Sequence, residues 1–164
     1  MKIKNKTILA IDPGLRDLGY AVFQGGTLVI AGVKPFSALK PSQRLSGVRA
    51  WVRYMLNTLK PATLLLERTN GQRKGVFGRL HRLVASLSAL ARRSGISVES
   101  FPAQTVRKNL TGSGWASKTT LAQAVASRIP VLRIFLTQDR RWKERYFQNM
   151  FDATALALHH QSLQ

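Results

Sequence analysis

The chain has no cysteine, which removes a disulfide framework and any thiolate metal site. Acid is scarce too: seven Asp and Glu stand against 26 Lys and Arg in 164 residues, for a net charge of +19. An excess of that size goes beyond what solubility requires and has the sign that attracts polyphosphate, so nucleic acid is the first partner to expect, ahead of anionic lipid. Long apolar runs are also missing. After the basic start Met1-Lys2-Ile3-Lys4-Asn5-Lys6, the run from Thr7 to Ile11 lasts five residues before Asp12, too short for a signal-peptide core or a membrane span, and a cytoplasmic location is expected. Repeats and low-complexity tracts do not occur. What remains is 45% apolar residues, enough to build a core, in a length that suits one domain over 1–164.

With so few acids, their positions carry information. Ile8-Leu9-Ala10-Ile11 is too short for a helix and delivers Asp12 at the point where Pro13 and Gly14 break a strand. Glu67 closes a second such run, Thr63-Leu64-Leu65-Leu66, and Asp152 opens the apolar helix that continues through Leu158. Any one of them alone is more simply a cap or a turn residue. Together they suggest a shared site, because two carboxylates about 4 Å apart repel by roughly 1 kcal/mol in water and roughly 4 kcal/mol at an effective dielectric of 20. A divalent cation resolves that repulsion. Oxygen donors without cysteine select Mg²⁺ or Mn²⁺, and a pair of ions per site is a known device for phosphodiester hydrolysis. The histidines fit less well: on a helix His159 would lie about 10 Å along the axis from Asp152, so His81, His159 and His160 are assigned surface or packing roles.

Strands are expected at 7–12, Gly19–Phe23 and Thr27–Val33, the last two joined by a hairpin turn at Gln24-Gly25-Gly26. Leu45, Val48, Val52, Met55 and Leu59 recur at helical spacing, with Ser42 as the expected N-cap and Pro61 as a stop. The strand ending at Glu67 follows, then a polar, basic loop from Arg68 to Gly75, including Arg73 and Lys74, that suits a substrate-facing segment. Val76, Leu80, Leu83, Val84, Leu87, Leu90 and Ala91 mark an amphipathic helix over 76–93, part of whose stripe is a candidate subunit interface. A strand at 96–101, with Glu99 expected to face solvent, precedes a short helix through Leu110. The loop Thr111-Gly112-Ser113-Gly114-Trp115-Ala116-Ser117-Lys118 has the composition of a backbone that approaches phosphate. Residues 137–147 mix Arg140, Arg141 and other cations with Trp142, Tyr146 and Phe147, a combination that stacks bases and contacts phosphates, or else a charged loop anchored by its aromatics. The order of elements predicts an α/β fold, a mixed sheet with helices on both faces.

Ile11-Asp12-Pro13-Gly14-Leu15-Arg16-Asp17-Leu18-Gly19-Tyr20 resembles the opening motif of the RuvC-type Holliday-junction resolvases. Leu65-Leu66-Glu67, the segment from Val106 to Gly114 with Lys118, and Asp152 to Ala157 follow in that family's order. The resemblance implies an RNase H-like fold with a five-stranded mixed sheet, and a homodimer paired through the helix at 76–93. It also implies two metal-dependent sites that nick a four-way DNA junction symmetrically, in recombination and repair. By position, Asp12, Glu67 and Asp152 are the implied metal ligands, while Arg107 and Lys118 match basic positions that serve the scissile phosphate. From the composition of the loops themselves, and not from the resemblance, the candidate DNA-contacting set is Arg68, Arg73, Lys74, Phe77, Lys108, Ser113, Trp115, Arg140, Arg141 and Trp142.

Three positions depart from the family pattern. Asn149 stands where a fourth acid is usual, and can offer an amide oxygen but no charge. Arg68-Thr69-Asn70 replaces the aromatic that commonly follows the Glu, leaving Phe77 as the nearest substitute. The stretch at 137–147 is longer than usual. Alternatives therefore stay open: a flap, branched-DNA or RNA–DNA hybrid nuclease of a mobile element, or a junction-binding protein that does not cut. No residue points to a partner helicase.

Overall fold

Apolar runs of four to six residues cannot bury themselves as helices, and here they pair. A computed structural model of the chain describes residues 6–69, 75–136 and 141–164, the side chains at 76, 77 and 141–145 aside. Five strands form one sheet: β1 (Thr7–Asp12), β2 (Asp17–Gln24), β3 (Thr27–Pro35), β4 (Thr63–Arg68) and β5 (Ser97–Pro102), in the order β3-β2-β1-β4-β5. The first three make the expected antiparallel meander, and β4 and β5 extend it in parallel from β1. Helices α1 (Pro41–Leu59), α2 (Val76–Arg93), α3 (Ala103–Thr111), α4 (Lys118–Arg128) and α5 (Arg141–Ser162) complete it, with a 3₁₀ segment at Pro130–Phe135.

The period-2 alternation of the strands divides the core in two. Leu9, Ile11, Leu64 and Leu66 point to one face and pack with Val48, Val52 and Leu56 of α1 and Leu83, Leu87 and Ala91 of α2. Ile8, Ala10, Phe23 and Leu65 point to the other, under α3, α4 and the long α5. Gly19 lets α5 lie this close: a Cβ added there would sit 1.8 Å from the Asn149 carbonyl oxygen, so no larger residue fits without moving the helix.

Several boundaries differ from the sequence expectations. Ser42 is not the cap of α1; Lys40 holds that position without a side-chain bond, and Pro41, with its preset φ, starts the helix. The helix does stop before Pro61 as expected, with Lys60, whose φ of 45° is left-handed, as its C-cap. Helix α5 begins at Arg141, so 141–147 is not a loop, and Asp152 lies within the helix instead of opening it. Phe147 packs on Phe135 at 4.6 Å and Tyr146 on Phe147 at 5.2 Å, so both rings are anchored against the protein. Leu83 and Leu87 are fully buried against the chain's own sheet, so they cannot form a subunit interface. Glu99 does not simply face solvent; its half-exposed carboxylate meets His160 Nδ1 at 3.2 Å. Among the described residues no helix is long and apolar enough to cross a membrane.

Candidate active site

The alternation that builds the core also aims the carboxylates. Asp12 follows Ile8 and Ala10 on the α5 side of β1, and Glu67 follows Leu65 on the same side of β4. Ile11 pairs with Leu66 in the parallel register, so Asp12 and Glu67 are the next residues on adjacent strands, at their C-terminal ends. That is the edge where open α/β sheets place their sites. Helix α5 crosses above and brings Asp152, which is 7% exposed, to the same place.

Burial and mutual repulsion link the three acids. Asp12 is pushed well above the ordinary carboxylate range by burial first, then by Glu67 and Asp152, with Lys118 opposing. Glu67 is raised to about 7 by burial and then by Asp152, against the pull of Arg107 and Lys118. Asp152 is raised by burial, with Lys118, a hydrogen bond from Gln148 and Arg107 holding it down. Lys118, the first residue of α4, places Nζ 4.0 Å from Asp152 Oδ2. Its position depends on Ser117, whose hydroxyl accepts from the Thr120 N–H at 3.0 Å and starts the helix there. Arg107, on α3, joins Glu67 and Asp152 in lining a small crevice, and its buried Nε has no hydrogen-bond partner. A buried guanidinium N–H without an acceptor is uncommon and suits a group that receives an oxyanion.

Gln148 was not anticipated. Its Nε2 donates to Asp152 Oδ1 at 3.0 Å and fixes that carboxylate from one turn earlier on α5. The i, i+4 spacing was the available signal. Asn149 takes part differently: its Nδ2 donates to the Asp17 carbonyl at 2.9 Å, which ties α5 to the start of β2. The oxygen donors of these carboxylates fit a hard divalent ion in chemistry, while the two flanking cations suit an anionic substrate. Among the described residues no three Asp, Glu, His or Cys side chains close into a metal cage as they stand.

The expected DNA-contacting residues divide. Lys108, Ser113 and Trp115 are exposed around the loop between α3 and α4, beside Arg107 and Lys118. Arg68 is exposed one residue beyond Glu67 and donates to the Ser100 carbonyl at 3.2 Å. Arg73, Lys74 and Arg140 lie outside the described residues, as do the side chains of Phe77, Arg141 and Trp142. The histidines take packing or surface roles: His159 meets Phe101 edge-on at 4.7 Å, and exposed His81 lies 3.4 Å from the Thr69 hydroxyl. A cavity of about 610 Å³ opens at the other end of the parallel strands, past Ile8, Thr63 and Ser97; its carboxylate, Glu99, is the one paired with His160.

The family described as crossover junction endodeoxyribonuclease RuvC matches residues 8–160. A crossover junction endodeoxyribonuclease RuvC of a Bradyrhizobium species is 30% identical over 129 residues, 75% of this chain and 74% of that protein. One from Thermobifida fusca is 30% identical over 127 residues, 73% and 69%. Among solved structures, Thermus thermophilus RuvC in complex with Holliday junction substrate aligns with a TM-score of 0.71 at 21% identity, over 95% of this chain and 93% of that one. The fowlpox virus resolvase with substrate Holliday junction DNA aligns at 0.61 and 15%, over 96% and 98%. With an RNase H-like sheet, acids at its C-terminal edge and this match across nearly its whole length, the chain belongs to the crossover junction endodeoxyribonuclease RuvC family.

Proposed function

We propose that this chain is a metal-dependent, structure-selective endonuclease that resolves four-way DNA junctions by paired, symmetric nicks. The observation that carries the reading is the convergence of Asp12, Glu67 and Asp152 on one face, each raised by burial and linked to the others, with Lys118 and Arg107 beside them. Asp12, Glu67 and Asp152, with Asn149 supplying an amide oxygen, would hold Mg²⁺ or Mn²⁺, two per site. Bound there, such ions lower the pKa of a water and stabilise the leaving oxygen of the phosphodiester. Gln148 keeps the Asp152 carboxylate oriented. Lys118 and Arg107 neutralise the scissile phosphate, Arg107 through the buried N–H that otherwise has no acceptor. Arginine in that role gives a planar fork in place of a point donor.

Symmetric nicking requires two copies of the site, and therefore a homodimer with two-fold symmetry. Helix α2 remains the proposed contact. Because Leu83 and Leu87 belong to the core, half-buried residues of α2 such as Leu80 and Val84 are the ones proposed to meet a partner.

The test is incubation of labelled four-way junction, flap, linear duplex and RNA–DNA hybrid with Mg²⁺. Paired nicks confined to the junction support the reading. Preferential cutting of flap or hybrid would assign the site to another branched substrate, and tight junction binding without cutting under Mg²⁺ or Mn²⁺ would make the protein a binder.

A further inference from the structure

The loop between α3 and α4 is built to hold a shape. Gly112 ends α3 with a left-handed φ of 84°. The Thr111 hydroxyl bonds the Arg107 carbonyl at 2.8 Å and the Ser113 carbonyl at 3.0 Å. The Ser113 hydroxyl accepts from the Trp115 N–H at 3.2 Å, and the Ala116 N–H donates to the Ser113 carbonyl at 3.2 Å. Gly114 packs its backbone against α3, where an added Cβ would approach the Gln104 carbonyl oxygen to 3.1 Å. This braced loop presents Trp115 with 87% of its surface in water. A rigid backbone that displays an indole leaves about as much apolar area uncovered as one side chain can, and a partner that covers it gains that area without ordering the loop.

The surroundings identify the partner. Trp115 is three residues before Lys118, so their Cα atoms are within roughly 11 Å, and Lys118 reaches the carboxylate site. Exposed Lys108 and half-buried Arg107 lie on the helix that enters the loop. An aromatic ring amid phosphate-seeking cations is the pattern that stacks on a nucleobase. A base still paired and stacked within a duplex offers no free face. We propose that Trp115 is a stacking platform for an unpaired base beside the cleaved phosphate, so that this site prefers DNA in which that base is already exposed, as at a branch point. The inference rests on the nuclease reading above for its substrate, and on the loop geometry for the residue.

Binding in EDTA, where no strand is cut, separates the two. The probe is 2-aminopurine, placed at the exchange point of a four-way junction and, separately, within a short single strand. The wild-type protein should quench both probes. Trp115→Ala should abolish the quenching and weaken binding of both by roughly 5–150-fold, the range set by about 1–3 kcal/mol of stacking per base, while its affinity for linear duplex changes less than twofold. Trp115→Phe should keep part of the quenching and Trp115→Lys none, although the added charge favours DNA. Equal quenching by wild type and Trp115→Ala overturns the proposal, as does an equal loss of duplex binding. Unchanged DNA binding by a folded Trp115→Ala would point to a protein partner and also overturns it. If the wild-type protein shows no preference for junctions, the resolvase reading fails, and the single-strand probe still decides the role of Trp115.

Discussion

Glu67 is the acid whose environment is most readily followed in solution. Its pKa rises from 4.5 to about 7 on folding, so the folded state holds a proton that the unfolded chain releases. Stability from this group is therefore complete below the unfolded pKa and is lost as pH rises through about 7, up to about 3 kcal/mol. Asp12 and Asp152 shift in the same direction and add to the slope. Urea unfolding of metal-free protein should show lower stability at about pH 8 than at about pH 5, and Glu67→Gln should flatten part of that difference. A rise in wild-type stability over the same interval would contradict the burial described. At Asn149 the expectation is split. Asn149→Asp adds charge to the site and should lower the Mg²⁺ concentration for half-maximal cleavage. It also replaces the donor to the Asp17 carbonyl and should cost about 1 kcal/mol of metal-free stability. An unchanged metal titration would exclude Asn149 as a ligand. The acids were legible in the sequence because each ends an apolar run or stands in one. Gln148 was not, since an amide among polar residues has no signature until the helix through it is known.

At the level of elements, the site depends on how α5 meets the sheet. Gly19 faces Asn149 at a distance no Cβ tolerates, so Gly19→Ala must push α5 away from β2 and carry Asp152 with it. Destabilisation of at least about 2 kcal/mol is expected, with a loss of cleavage larger than the loss of stability explains. Thermal unfolding and cleavage measured on the same preparation would check it; wild-type values for both would mean that α5 can be relocated without consequence. The extent of α5 was hidden because residues 141–147 are mostly charged or aromatic, and only their connection to the apolar stretch after Gln148 makes them its first turns. The stripe on α2 was visible, but periodicity cannot tell a face that covers its own sheet from one that waits for a partner. Leu83→Glu should accordingly unfold the chain, whereas Leu80→Glu should leave it folded and shift it toward the monomer. Light scattering at micromolar concentration separates those outcomes, and a folded, monomeric Leu83→Glu would reverse the assignment.

The whole molecule carries +19, because seven acids stand against 26 Lys and Arg. Three of the seven are gathered around the C-terminal edge of β1 and β4, which leaves most of the remaining surface positive and attractive to DNA. Binding should be dominated by phosphate neutralisation and weaken by roughly 10³–10⁵-fold between about 50 and 200 mM salt for 6–10 phosphate contacts. Filter binding at several salt concentrations gives the slope, and an affinity indifferent to salt would contradict it. The central claim is that Asp12, Glu67 and Asp152 jointly hold the ions that make this basic fold cut. Its most direct test is a Mg²⁺ titration of four-way junction cleavage by the wild type and by Asp152→Asn, with junction binding measured in parallel. The variant should bind as tightly as wild type or more so and be at least as stable without metal. It should lose more cleavage than the roughly 10–100-fold that loss of an outer supporting contact costs. Near-normal Mg²⁺-dependent nicking by Asp152→Asn would remove that residue from the site and contradict the account.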